Sequence, residues 1–131
     1  MKFISSILLF FLTNHLFSLD YILEFQANIN ILKEFDISKK EKFRSYELIG
    51  TFTDEYGNYG KLEGIIISDI KDNKLIKLEG TAKTIYANNE VLYIKAFRKE
   101  SDFDAGVATM EIVGASDKFK AFIGTKCKQS V

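Results

Sequence analysis

This 131-residue sequence predicts an all-β fold, a small closed or nearly closed antiparallel up-and-down β-barrel, and three observations carry the prediction. Apolar and polar residues alternate with period two over long segments, the signature of strands with one buried face. Short clusters rich in Gly, Asn and Asp separate those segments, and such residues tolerate the backbone of tight turns. Five of the eight glycines, Gly50, Gly64, Gly80, Gly106 and Gly124, fall inside five different expected strands. A strand interior normally avoids Gly, which packs nothing, so one per strand fits a sheet that coils sharply enough to close. Closure would also remove exposed edges from a chain that has no proline to blunt them.

The chain starts with an address. Met1-Lys2 supplies one positive charge, Phe3 to Leu12 is an apolar run, and Leu16-Phe17-Ser18 offers a small residue for cleavage. These are the parts of a secretory signal peptide over residues 1–18, leaving a single domain from 19 to 131. A spanning helix needs about 20 apolar residues, and Asn14 and His15 interrupt this run. The expectation is therefore an exported protein, periplasmic or extracellular, with no stable membrane span after cleavage.

Strands follow at about Leu19–Ala27, Phe43–Thr53, Lys61–Ile70, Lys74–Tyr86, Glu90–Arg98, Ala105–Val113 and Lys118–Lys128. In the fourth, Ile76, Leu78, Gly80, Ala82, Thr84 and Tyr86 share one face. In the last, Phe119, Ala121, Ile123, Thr125 and Cys127 face one way and Lys118, Lys120, Lys126 and Lys128 the other, which turns Cys127 inward. Between the first two strands, Ile29, Leu32 and Phe35 fit a short helix or another strand, and Lys39 to Lys42 reads as a solvated loop. Turns are expected at Tyr56–Gly60, Lys71–Asn73, Ala87–Asn89 and Gly114–Asp117. Ile65-Ile66-Ile67 and Val91 to Ile94 with Phe97 are apolar on both faces, so the outer face needs cover from the 28–42 segment or from a second copy.

Chemistry is narrowed by what the mature chain lacks. Lys and Arg number 18 against 18 Asp and Glu. This balance does not supply the clustered positive charge that nucleic acid requires. Cleavage after Ser18 removes His15, the only histidine, and with it any triad or imidazole-bound zinc. The single Cys127 forms no internal disulfide. No metal site, cofactor or catalytic residue is assigned. Glu47, Glu63, Glu79 and Glu111 recur along four strands, but parity sends Glu63 and Glu79 to the surface if Gly64 and Gly80 face inward. Asp54, Glu55 and Asn58 do not reproduce a calcium loop and read as turn residues.

Gly50 to Gly60, Asp104 to Thr109 and the run Gly114-Ala115-Ser116-Asp117-Lys118-Phe119-Lys120-Ala121-Phe122-Ile123-Gly124 resemble small exported bacterial proteins of the allene oxide cyclase and dirigent-like β-barrel group. The resemblance covers roughly Phe43 to Lys128 and rests on turns and mid-strand glycines, so it implies a barrel more than a reaction. Three readings follow in rank order. The first is a binding module whose lumen, lined by Tyr46, Phe52, Ile66, Leu78, Tyr86 and Phe119, holds a small apolar ligand. The second is a structural or interaction protein of the envelope with a packed core, with a homo-oligomer as one form. The third, implied by the resemblance, is a metal-free isomerase or cyclase, which needs a buried Tyr or carboxylate beside its ligand.

Overall fold

The computed structural model describes residues 21–102 and 105–130; the expected signal peptide lies outside them. Within them one seven-stranded antiparallel sheet runs in sequence order: β1 (Leu23–Asp36), β2 (Glu41–Asp54), β3 (Tyr59–Lys71), β4 (Lys74–Tyr86), β5 (Val91–Arg98), β6 (Val107–Ala115) and β7 (Lys126–Ser130). A short 3-10 helix, Asp117–Phe122, separates the last two. The all-β meander is as expected. Its closure is not: among the described residues β7 pairs only with β6 and β1 only with β2, which leaves β1 and β7 as open edges.

Turn chemistry explains the hairpins. Asp72 and Asn73 both take positive φ between β3 and β4, the conformation of a two-residue turn whose twist matches its strands. Asn89 does the same before β5. At the β2–β3 turn the Asp54 carboxylate accepts the backbone N–H of Tyr56 at 2.9 Å and of Asn58 at 2.8 Å.

Three expectations need correction, each for a local reason. Of the two options for Ile29 to Phe35 the strand holds and the helix does not, and the expected loop ends at Lys40 because β2 already starts at Glu41. The segment is no cover either: β1 continues to Asp36, with a bulge between Ile31 and Lys33. That extra residue joins two period-two halves out of phase, and Ile29, Leu32 and Phe35 consequently fall at a helix-like spacing. The outer-face Ile65, Ile67, Tyr93 and Phe97 are accordingly left exposed. In β4 the extra residue Ile76, opposite the Asp69–Ile70 step of β3, shifts the register, which buries Leu75 and exposes Ile76, reversing their expected sides. The expected final strand from Lys118 is instead the 3-10 helix plus the five-residue β7. Gly124, at φ 91°, makes the turn between them, and Gly106 precedes β6 rather than lying within it.

Most of the core sits on one face of the coiled sheet. Phe52, Tyr86 and Leu92 form its centre, with Leu23, Phe25, Ile112, Ala115 and Phe119 packed against them. Tyr86 meets Phe52 edge-on at 4.7 Å between ring centroids and Phe119 at 4.9 Å, the tilted geometries aromatic rings favour. Space for Phe52 comes from Gly60, where a Cβ would lie 2.7 Å from the Phe52 ring.

Candidate functional site

Of the six expected lumen-lining residues, Tyr46, Phe52, Ile66, Leu78 and Tyr86 lie on that inner face of the sheet, and Phe119 packs against it from the 3-10 helix. Phe52, Tyr86 and Phe119 meet in the aromatic cluster. Tyr46 is buried further along and accepts a hydrogen bond from the Ser68 hydroxyl at 3.2 Å. Ile66 is cross-strand partner to Tyr46, and Leu78 to Ser68, both half-buried. The six therefore form two groups, the ring cluster at one end of the sheet and the Tyr46 group toward the other.

Beside the rings lies a polar chain that the sequence did not single out. The Tyr21 hydroxyl donates to Asp54 Oδ2 at 2.7 Å, and the Tyr86 hydroxyl stands 3.2 Å from that of Tyr21. Because the Tyr21 proton is directed to Asp54, Tyr86 is the donor to Tyr21. Desolvation, reinforced by Tyr86 and Asp54, pushes the Tyr21 phenol well above its ordinary value; desolvation likewise raises Tyr86. Burial of Asp54 would raise its carboxyl. Hydrogen bonds from the Asn58 side chain, Tyr21 and two backbone amides outweigh that cost and hold it below the usual range. With two bonds on Oδ1 and two on Oδ2, Asp54 has used its accepting capacity. The chain thus tethers residue 21 to a turn and offers no carboxylate oxygen to act as a base. Asp54 was legible as a turn residue, but its link to a tyrosine 33 positions earlier had no local signal.

Two clefts open elsewhere on the described residues. One cleft of about 30 Å³ is lined by Phe43, Ile67, Ser68, Asp69, Lys77 and Glu79. A second of about 120 Å³ lies among Lys39, Lys40, Lys42, Ile70, Asp72 and Asn73. Neither contains an expected lumen residue, and both fall below the ~300 Å³ at which small-molecule pockets usually begin. Among the described residues no cluster of His, Cys, Asp or Glu could hold a metal ion, and no helix is long and apolar enough to cross a membrane.

The free side of β1 is the larger feature. Its 14 residues are hydrogen-bonded on one side only. Ile29 and Ile31 belong to the same face as the core yet are 59% and 56% exposed, and Leu32 and Phe35 are more than half exposed as well. The Glu55 N–H donates to the Ile22 carbonyl and the Asp54 N–H to Asn58. Ladder alternation therefore turns the backbone groups of Phe25, Ala27, Ile29 and Ile31 toward the open edge. The signal for this edge was the alternation Gln26-Ala27-Asn28-Ile29-Asn30-Ile31, hidden by the bulge that follows it. No protein-family model, curated protein or solved structure matches the chain.

Proposed function

We propose that the protein is a non-catalytic interaction module, exported by its N-terminal segment, that accepts a partner's strand on the open edge of β1. The observation that carries this reading is a 14-residue edge strand whose Ile29 and Ile31 are exposed on the core face. Native proteins usually shorten, charge or cover such an edge, since it is a template for pairing with another strand. A second reading, a small apolar ligand on the inner face of a barrel that closes around it, draws support from the shared face of Tyr46, Phe52, Ile66, Leu78 and Tyr86, onto which Phe119 packs. The isomerase or cyclase that the family resemblance suggests has weaker support, since the buried carboxylate beside the rings is fully engaged.

Native mass spectrometry of protein expressed from the full-length gene and purified as the cell processes it separates the two readings. The interaction module is expected to run as a complex of protein chains without a small-molecule adduct. A monomer carrying an apolar adduct that leaves on mild denaturation would overturn it in favour of the ligand reading.

A further inference from the structure

The open edge of β1 also specifies what fits it. We infer that its partner is β1 of a second copy, paired antiparallel about a two-fold axis at Asn28 to make one continuous fourteen-stranded sheet. This rests on the interaction reading and names its partner.

Register decides the matter. The outward backbone groups belong to the odd-numbered residues before the bulge, and in a symmetric antiparallel pair these must meet one another. One register sets Phe25 opposite Ile31 of the second copy and Ala27 opposite Ile29, all on the core face. Asn28 then meets its own equivalent on the other face. The bulge now matters, because skipping Leu32 brings Lys33 opposite Glu24 and Phe35 opposite Ile22, again on matching faces. Glu24 and Lys33 make no ion pair within their own chain among the described residues. Ile22 and Phe35 are 56% and 53% exposed. Sliding the second copy by two residues either way puts Glu24 against Asn30 or Phe35, and Lys33 against Ile22 or Gln26. Only the one register pairs both charges and both exposed apolar side chains, and symmetry makes each of those contacts twice.

The remaining charges near this edge do not oppose it. Glu34 is already held by Arg44 and by Lys42 at 3.3 Å, and Asp36 by Lys42 at 3.4 Å, all within the chain. The other open edge, β7, is a poorer site. It is five residues long, and its Lys126 and Lys128 already contact Glu111 and Thr109.

Charge reversal tests the register directly. Sedimentation equilibrium of the cell-processed protein should show a dimer. Lys33→Glu and Glu24→Lys alone should each weaken it roughly tenfold or more, since like charges then face each other at two places. The double variant Glu24→Lys/Lys33→Glu should restore the dimer. In a Cys127→Ser background, Asn28→Cys should form a disulfide-linked dimer under mild oxidation and Gln26→Cys should not, because only residue 28 meets itself. A dimer indifferent to both reversals, or cross-linked equally at 26 and 28, overturns the register. An open-ended ladder of larger species points to β7-to-β1 stacking and overturns the two-fold pairing. A complex with a different protein, or a monomer at every concentration, overturns the second copy as partner; the first of these leaves the interaction reading standing.

Discussion

Asp54 shows how one side chain can fasten a turn and a distant segment together. Its two oxygens collect the amides of Tyr56 and Asn58, the Asn58 side chain and the Tyr21 hydroxyl. These bonds favour the carboxylate over the acid and depress its pKa below the ordinary value. A carboxyl depressed on folding stabilises the folded state above its unfolded pKa, near 4, and that contribution fades as pH falls through the folded value. Urea unfolding followed from pH 7 to pH 2 should therefore show stability falling on the acid side. Asp54→Asn should flatten part of that slope and lower stability at pH 7 by about 1–2 kcal/mol. An unchanged acid slope in the variant would show that the carboxylate is not coupled to folding. At this scale the sequence was informative about side and silent about partner. Period two placed Tyr46, Phe52, Leu78 and Tyr86 together on the inner face, and the turn signal marked Asp54. No periodicity can announce that Tyr21 folds back onto it.

Elements were legible where the ladder is regular. β4 occupies the expected residues from Lys74 to Tyr86, and β2, β3, β5 and β6 lie within a few positions of expectation. Legibility failed where one residue changes phase. The β1 bulge imitated a helical spacing, and the β3–β4 irregularity exchanged Leu75 for Ile76. Near the C-terminus, Phe119, Ala121 and Ile123 alternate as a strand would, but Phe119 and Phe122 meet at a tilt, 5.9 Å between ring centroids, as neighbours in a 3-10 turn. Ser116 followed by Asp117 was the available signal for that turn, as an N-cap residue and a first-turn acid. Glycine had a second meaning as well. At Gly50 a Cβ would lie 2.2 Å from the Gln26 carbonyl and 2.7 Å from the Ala27 Cα, so the position lets β1 approach β2 closely. Gly50→Ala should cost about 1–3 kcal/mol in thermal or urea unfolding, because backbone rather than a flexible side chain must move. Full stability in this variant would mean that the two strands sit further apart than described.

Whole-molecule shape turns on whether the sheet closes, and closure was the inference that individual strands could not settle. Mid-strand glycines such as Gly50, Gly64 and Gly80 allow coiling, but closing a barrel also needs a last strand long enough to pair with the first. Here the 3-10 helix takes the residues that would have lengthened β7, while β1 runs for 14 residues. The result is a coiled sheet with unequal edges, and hydrogen exchange can read the difference residue by residue. The amides of Glu24, Gln26, Asn28 and Asn30 point to β2, whereas those of Phe25, Ala27, Ile29 and Ile31 point away. In dilute protein the first set should exchange slowly and the second fast, an alternation confined to the open edge. A closed barrel would protect both sets at every concentration. Pairing with a second copy would protect the outward set only as concentration rises, while β3 and β4, bonded on both sides, stay slow throughout. One experiment thus distinguishes a sheet closed on itself from one completed by its twin.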